Sequence, residues 1–152
     1  MKLSRNLSLS ECTKSITAKR LDIDNTPSDE VINSLKDIAN SVFQPVRDYF
    51  RVPIGINSGY RSEELNKAVG GSKNSQHILG EALDIDADIY GGITNKQIFD
   101  YIKQNLDYDQ LIWEFGGPSS PDWVHVSFRR ENNRREALRA TRMRGKVYYT
   151  FI

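Results

Sequence analysis

The sequence predicts an α+β domain in which a small antiparallel sheet is flanked by helices. Apolar residues recur at three- and four-residue spacing between residues 31 and 50, which is typical of an amphipathic helix. Leu83 and Ile85 alternate with aspartates, as in a half-buried strand. The segments QLIWEF and WVHVSF, joined by GGPSSPD, predict an antiparallel hairpin. Helices intermixed with a hairpin favour an α+β architecture.

The size and charge of the chain limit the possible classes of protein. Its 152 residues fit one domain, residues 1–152, that can form a core without disulfide or metal support. The composition, 38% hydrophobic and 10% aromatic, excludes a disordered or fibrous protein. The net charge of +1 excludes the strong positive field of a dedicated nucleic-acid binder, so we expect no nucleic-acid partner.

The first half of the chain predicts four elements in order. Residues 1–26 are polar and predict a lead-in segment, a brief helix or a loop. A helix follows to Phe50, with Thr26 as its N-cap and an interruption at Pro45. Alternation from Val52 predicts a strand, and SEELNKAV predicts a short helix closed by two glycines.

The second half predicts six further elements. A small polar loop over residues 71–80 leads to the alternating strand ALDIDADIYGG, and TNKQIFDYIKQNL predicts a helix capped at Thr94 or Asn95. The hairpin of QLIWEF and WVHVSF comes next. REALRATRM predicts a last helix, and KVYYTFI predicts a last strand.

The N-terminal sequence and the single cysteine predict a cytoplasmic protein. Cys12 has no partner for an intrachain disulfide, which fits a reducing compartment, and its polar surroundings argue against a thiol nucleophile. The first twenty residues contain no apolar segment of signal-peptide length and no membrane span. We therefore expect the protein to stay in the cytoplasm until something else releases it.

The two histidines of the chain form the most informative pattern. His77 precedes Asp84 by seven residues, and His125 lies inside the second strand of the predicted hairpin. Two imidazoles and one carboxylate on separate elements form a ligand set suited to zinc, with a fourth position open to water. Two lone histidines are also common at surfaces and in cores, so the spacing alone leaves both interpretations open.

A motif that contains these residues resembles a known family. Ser75, His77, Gly80, Ala82 and Asp84 form the pattern Ser-x-His-x-x-Gly-x-Ala-x-Asp, and a Trp-x-His segment follows. The chain resembles the M15-type zinc D-alanyl-D-alanine carboxypeptidases and their phage-type peptidoglycan endopeptidase relatives, which share the hedgehog/DD-peptidase fold. The resemblance implies that His77, Asp84 and His125 bind Zn²⁺.

The resemblance also implies an activity and a partner. We expect a zinc metallopeptidase that uses metal-activated water to cut stem peptides of peptidoglycan, either as a D-Ala-D-Ala carboxypeptidase or as an L-Ala-D-Glu-type endopeptidase. We expect the protein to be a monomer. We also expect it to be a phage-encoded lysis enzyme or virion protein. The same scaffold occurs in the hedgehog signalling domain, so a zinc-stabilised, non-catalytic cell-wall binding module is the alternative.

Four residues are candidates for substrate binding. Arg61 matches a family arginine near the reacting carbonyl or the terminal carboxylate, and a guanidinium offers paired donors to either group. Ser75 matches the signature serine and is a candidate hydrogen-bond partner for the substrate. Gln76 is a candidate for the pocket lining, and Trp123 is a candidate substrate contact.

Two acids compete for the role of general base. The resemblance implies Asp122, which stands three residues before the last histidine, although that family acid is often the longer glutamate. Glu114, on the facing strand, is the rival. If residue 114 lies opposite residue 124, Glu114 points away from His125, and a shift of one residue turns it inward. The sequence leaves both acids open.

The segment from Arg129 to Lys146 is strongly basic, with eight basic residues against two acids. We expect these residues to form the solvated face of the last helix. The alternative is that the segment binds an anionic polymer, either a cell-wall glycopolymer or a nucleic acid.

Overall fold

The computed structural model describes all 152 residues and confirms the α+β class. Six α-helices occur along the chain: α1 (Leu9–Thr13), α2 (Ile16–Arg20), α3 (Asp29–Ile38), α4 (Gln44–Phe50), α5 (Glu63–Ala68) and α6 (Asn95–Asn105). Eight strands occur with them: β1 (Lys2–Ser4), β2 (Leu7–Ser8), β3 (Gly55–Ser58), β4 (Ala82–Asp86), β5 (Gln110–Glu114), β6 (Trp123–Ser127), β7 (Glu136–Met143) and β8 (Lys146–Phe151). None of the helices has the length and apolar character needed to cross a bilayer.

The main sheet is larger than predicted and is not purely antiparallel. It has six strands in the order β3-β4-β6-β5-β7-β8, while β1 and β2 form a separate pair. The predicted hairpin is confirmed as the antiparallel pair β5 and β6. The chain then reverses direction after β6 and adds β7 on the other side of β5, so β7 runs parallel to β5. The prediction of a small antiparallel sheet is therefore wrong in size and in one pairing.

The last predicted helix is a strand. Residues 136–143 form β7, which pairs with β5 on one side and with β8 on the other. Leu138 and Ala140 pack with Ile112 on one face of the sheet, so burial and pairing on both edges override the helix propensity of the segment. The predicted last strand is confirmed as β8, and Arg144 and Gly145 form the turn between the two strands with positive φ angles.

The basic segment therefore does not form a helix face. Three of its arginines, on the loop before β7, are in ion pairs: Arg130 with Asp37, Arg134 with Asp109, and Arg135 with Asp107. Two others lie over aromatic rings, Arg139 over Trp113 and Arg142 over Phe115. Much of the local positive charge is thus balanced within the chain.

The long N-terminal helix is interrupted near the predicted position. A π-helical turn, Ala39–Phe43, separates α3 from α4, and Pro45 lies in the first turn of α4, where a missing N–H is tolerated. The N-cap is Ser28 rather than Thr26, because the Ser28 hydroxyl accepts a hydrogen bond from the backbone N–H of Val31.

The N-terminal 26 residues are more than a lead-in. They form the β1–β2 hairpin and two short helices, and Leu3, Leu7 and Cys12 are part of the main core. Burial raises the pKa of the Cys12 thiol to about 12, and the nearby Glu11 carboxylate adds to the effect. The thiol therefore stays protonated at neutral pH and is a poor nucleophile.

The two faces of the main sheet have different environments. One face packs against the helices through the largest apolar cluster, which includes Leu83, Ile85, Leu111, Trp113, Val124 and Val126 from the strands. Alternate residues of the same strands point to the other face. That face carries Asp84, Glu114 and His125, and it lines an open cleft.

The remaining elements of the structure agree with the prediction except at their ends. The short helix and the second helix are confirmed as α5 and α6, and Thr94 caps α6 with a reciprocal bond to Gln97. The strand predicted from residue 82 ends at Asp86, because a 3₁₀ turn, Ala87–Ile89, follows it.

Candidate metal centre

Three side chains on the open face of the sheet could hold a metal ion together. His77, Asp84 and His125 each offer one ligand atom, and these atoms lie within 4.8 Å of one another. Asp84 Oδ1 is 3.0 Å from His125 Nδ1, and Asp84 Oδ2 is 3.3 Å from His77 Nε2. His77 and Asp84 are buried and His125 is half-buried, so the cluster lies at the bottom of the cleft.

Strand pairing brings two of these residues together. Asp84 on β4 lies directly opposite His125 on β6, and opposed residues point to the same face of a sheet. The alternation of β4 explains why Asp84 faces the cleft while Leu83 and Ile85 face the core. The adjacency follows from a register that only the folded chain defines.

The third residue, His77, lies on the loop between α5 and β4. Its Nδ1 atom is 2.6 Å from the carbonyl oxygen of Gly59, a distance that fits an Nδ1–H donor. This hydrogen bond directs the other ring nitrogen, Nε2, toward Asp84. The ring is therefore oriented with Nε2 toward the site.

Gly59, which orients His77, is itself held by the N-terminal segment. A Cβ atom at position 59 would lie 2.7 Å from the carbonyl oxygen and 2.9 Å from the Cα of Cys12. The backbone N–H of Tyr60 donates to the same Cys12 carbonyl at 2.7 Å. Because backbone cannot yield as a flexible side chain does, only glycine fits here. Helix α1 thus supports the loop that positions His77.

The cluster favours an ionised aspartate. Burial alone would raise the pKa of Asp84, but the facing His77 and His125 rings outweigh it and hold that pKa well below its usual range. Two imidazole nitrogens and a carboxylate oxygen are the donors that catalytic zinc sites use, with one position left open. The oriented Nε2 atom of His77 and the ionised Asp84 therefore fit a zinc ion.

Arg61 contacts the cluster from the side. Its guanidinium lies 3.3 Å from Asp84 Oδ2, and its other nitrogens donate to Ser58 Oγ at 3.1 Å and to Asn66 Oδ1 at 3.3 Å. These three contacts fix the plane of the guanidinium at the edge of the cleft. Arg61 is thus placed next to Asp84 at the edge of the cleft.

Glu114 lies on the same face as the cluster. The β5–β6 register pairs Glu114 with Trp123 and Ile112 with His125. A register shifted by one residue would turn Glu114 away from His125, to the core face. Glu114 is 9% exposed, and its carboxylate accepts no hydrogen bond within the chain. Burial raises the pKa of Glu114 to about 7, the charge of Asp84 adds to this, and His125, Arg142 and Arg61 oppose it.

Asp122, the other candidate base, lies outside this cleft. It is exposed and does not line the cleft that contains His77, Asp84 and His125. Its backbone N–H donates to the Glu114 carbonyl at 2.9 Å, and its own carbonyl accepts from the Asn95 side chain at 3.0 Å. These contacts fix the backbone of Asp122 at the rim of the sheet and leave its carboxylate in solvent.

The other predicted substrate residues line the cleft, which has a volume of about 420 Å³. Ser75 Oγ accepts from the backbone N–H of His77 at 3.2 Å, so it also shapes the loop. The Gln76 amide donates to Asp109 at 3.0 Å, which leaves its oxygen free. Trp123 is half-buried and packs edge-to-face against Phe115 at 5.5 Å.

Sequence analysis did not single out Ile112, which lines the cleft because it lies opposite His125. Tyr149 also lines the cleft, through the pairing of β5 with β7 and of β7 with β8. The alternation within KVYYTFI was visible, but the face on which Tyr149 lies depends on a strand that was predicted as a helix. Asp109 was also missed: it is fully buried and binds both Gln76 and Arg134.

Two histidines and an aspartate at the bottom of an open cleft, with an acid and an arginine beside them, are the kind of site that metal-dependent peptidases use. A model of the family described as peptidase M15 matches residues 5–127, and the chain belongs to this family. The resemblance stated from the sequence is thereby confirmed. Strands β7 and β8 lie beyond the matched residues.

A curated relative gives a further comparison. The chain is 33% identical over 75 residues to a zinc D-Ala-D-Ala carboxypeptidase of Streptomyces albus G. The alignment covers 49% of this chain and 28% of that protein. The aligned part of the chain therefore spans only about a quarter of the length of this relative.

Proposed function

We propose that this protein is a zinc-dependent peptidase that hydrolyses peptide bonds in the stem peptides of peptidoglycan. The observation that carries the proposal is the position of Glu114 beside the His77–Asp84–His125 cluster, on the same face of the sheet and in the same cleft. Membership of the peptidase M15 family supports the reaction type. The name of the Streptomyces relative supports a cell-wall peptide as the substrate.

His77, Asp84 and His125 would hold the zinc ion through His77 Nε2, the Asp84 carboxylate and His125 Nδ1. When bound, zinc supplies Lewis-acid chemistry, because it polarises a carbonyl group and lowers the pKa of water. The hydrogen bond from His77 to Gly59 and the contact of Arg61 with Asp84 keep two of the three ligands in place.

Glu114 would act as the general base and then as the general acid. Its carboxylate lies in the cleft without a partner in the chain, so it is free to accept a proton from the attacking water. The same group would then give the proton to the leaving amine. The exposed carboxylate of Asp122 lacks this access, which favours Glu114.

Arg61 would bind an oxygen of the substrate. Its guanidinium already lies against Asp84 at the edge of the cleft, so it presents fixed positive charge next to the reacting carbonyl without further ordering. Ser75 and Gln76 would form polar contacts with the peptide from the loop before β4, and Trp123 would form the opposite wall.

The test is a digest of purified peptidoglycan by the zinc-loaded protein, with a chelator-treated sample as the control and mass spectrometry of the released fragments. Chelator-sensitive loss of terminal D-alanine indicates a carboxypeptidase, and cleavage between L-alanine and D-glutamate indicates an endopeptidase. If several wall types release no fragment while the zinc-loaded protein still sediments with them, the protein is a non-catalytic binding module and the proposed reaction is wrong.

A further inference from the structure

The C-terminal strand presents apolar side chains that are partly or largely exposed. Val147, Tyr149 and Phe151 alternate along β8, so they point to the same face of the sheet, and we call these three residues the β8 apolar face. Tyr149 is 56% exposed and Phe151 is 77% exposed. Strand β8 forms the edge of the sheet and belongs to the part of the chain beyond the family match.

Strand registers connect the β8 apolar face to the metal centre. Residues that lie opposite one another across paired strands share a face. One such row runs across the sheet from the edge to the cluster: Phe151, Leu138, Ile112, His125 and Asp84. A second row runs beside it: Tyr149, Ala140, Glu114 and Trp123. The β8 apolar face is therefore a lateral continuation of the cleft.

The residues between the two ends of these rows are also apolar, and they are buried. Ile112, Leu138 and Ala140 form a buried cluster of their own, separate from the main core, with Phe115 packed against it. Ala140 is small, so the larger Tyr149 beside it can lean toward the cleft, and Tyr149 lines the cleft together with Glu114. The cleft thus has a polar end at the metal centre and an apolar end at β8.

The length of this surface suits an extended peptide. Neighbouring strands are about 4.8 Å apart, so Glu114 and Tyr149 are separated by about 10 Å and His125 and Phe151 by about 14 Å across the sheet. An extended chain advances about 3.3 Å per residue, so three or four residues would cover the distance. A dipeptide bound at the metal centre would not reach β8.

We propose that the β8 apolar face binds the part of the peptide substrate that lies three or four residues from the scissile bond. This inference rests on the proposed function for the nature of the ligand. Tyr149 and Phe151 pack against apolar groups of the peptide, while Glu114 and the metal ligands act at the other end. The hairpin of β7 and β8 therefore gives this chain its preference for longer peptides.

The experiment measures binding without turnover. Zinc-loaded protein carrying Glu114→Gln is titrated by calorimetry with two probes, the stem pentapeptide and the dipeptide D-Ala-D-Ala. Tyr149→Ala and Phe151→Ala, each added to this protein, should weaken pentapeptide binding by about tenfold, the effect of losing one well-packed aromatic contact. Neither substitution should change binding of the dipeptide.

Two further variants serve as controls. Tyr148→Ala removes a neighbouring aromatic of similar exposure, 48%, that points to the opposite face, so pentapeptide affinity should stay within about twofold. Tyr149→Phe keeps the ring and should retain affinity to a similar degree. Circular dichroism and zinc content, equal to those of the parent protein, show that the hairpin and the metal centre are intact in each variant.

The outcomes separate this inference from the proposed function. If the unmodified protein cuts peptidoglycan but Tyr149→Ala and Phe151→Ala bind the pentapeptide as tightly as Tyr148→Ala does, the inference is wrong and the function stands. If no fragment is released yet the two substitutions weaken pentapeptide binding, the inference stands and the function is wrong. Absence of pentapeptide binding, or a dimer that Phe151→Ala dissociates, overturns the inference.

Discussion

Glu114 lies opposite Trp123 in the β5–β6 ladder, and this register places the two side chains on the same face as His125. A register shifted by one residue would turn Glu114 to the core face and replace it with an apolar neighbour. The pairing is reinforced at its end, because the backbone N–H of Asp122 donates to the Glu114 carbonyl. The chemistry of the cleft thus depends on one pairing of strands.

Replacing Glu114 by glutamine should abolish most of the activity while the protein keeps its metal. The amide has nearly the same size but cannot accept the proton of the attacking water, so we expect kcat to fall by a factor of about 10² to 10⁴. The measurement is hydrolysis of a stem pentapeptide, with zinc content determined on the same sample.

Asp122→Asn is the matched control for Glu114→Gln. Because the Asp122 carboxylate lies in solvent outside the cleft, this substitution should leave kcat within about twofold of the unmodified protein. A loss of activity in Asp122→Asn as large as that in Glu114→Gln would contradict the assignment of Glu114 as the base.

The stability of the metal-free protein should depend on the protonation of Glu114. Its pKa is raised from 4.5 to about 7 on folding, so the folded state holds the proton more tightly than the unfolded state. The contribution of Glu114 to the free energy of unfolding is fully present below about pH 4.5. It falls by roughly 2–3 kcal/mol as the pH rises to about 7. The free energy of unfolding of Glu114→Gln should not decrease in this way.

The measurement for this pH dependence is chemical denaturation of both metal-free proteins between pH 4.5 and 8. The difference in the free energy of unfolding between Glu114→Gln and the unmodified protein isolates the contribution of this side chain. If the two curves are parallel throughout this range, the side chain titrates as it would in water and its burial has no electrostatic consequence.

Zinc should stabilise the protein through the His77–Asp84–His125 cluster. A ligand at a hundredfold excess over its Kd adds about 2.7 kcal/mol to the free energy of unfolding. We expect the Tm of the metal-free protein to rise on addition of zinc, and we expect His77→Ala to lose this rise because one of three ligands is gone. Asp88→Asn, at an exposed acid outside the cluster, should respond as the unmodified protein does. A full response in His77→Ala would mean that zinc binds elsewhere.

The substitution Gly59→Ala tests whether Gly59 controls the orientation of His77. In Gly59→Ala the new Cβ would approach the backbone of Cys12 to 2.7 Å, so α1 and the strand before Gly59 must separate. We expect a loss of about 1–3 kcal/mol of stability, together with weaker zinc binding, because the Gly59 carbonyl that orients His77 moves.

Gly117→Ala provides the comparison for Gly59→Ala. Nothing lies within 4 Å of a Cβ at position 117, so this substitution should leave both stability and zinc affinity unchanged. Denaturation curves of the two variants measure stability, and zinc titrations measure zinc affinity. Unchanged zinc affinity in Gly59→Ala would show that the Gly59 contact does not control the orientation of His77.

Asp109 should stabilise the loop that carries His77. It is fully buried and accepts hydrogen bonds from Gln76 and from the backbone and guanidinium of Arg134. Asp109→Asn removes the charge, and because Arg134 is half exposed we expect a loss of only about 1–3 kcal/mol at neutral pH. Asp107→Asn, which breaks the exposed pair with Arg135, should cost less than about 1 kcal/mol. Equal losses in urea denaturation would contradict the structural role of Asp109.

Local sequence patterns predicted most of the elements and the chemistry-bearing residues. The α-helices after residue 28, the β5–β6 hairpin and β8 follow from apolar periodicity and turn residues, which depend on neighbours in the chain. The two histidines and Asp84 stand out because the chain contains no other histidine and because they match a family motif. These inferences need no knowledge of which strand pairs with which.

One prediction failed and another was incomplete where pairing partners decide the outcome. The segment REALRATRM has helix-forming residues, yet it is a strand, because Leu138 and Ala140 gain a buried apolar contact with Ile112 only in that form. The N-terminal 26 residues lack a strong periodic pattern, yet Leu3, Leu7 and Cys12 fill the core beside distant parts of the chain.

The sequence by itself determined the class of fold, the family and the three candidate metal ligands, because motifs and periodicities are local properties. Only the tertiary structure decided that Glu114 rather than Asp122 shares the cleft with His125, and that Tyr149 extends that cleft. A shift of one residue between strands exchanges the two faces of a sheet. That register is set by packing across the whole domain, and no short stretch of sequence contains it.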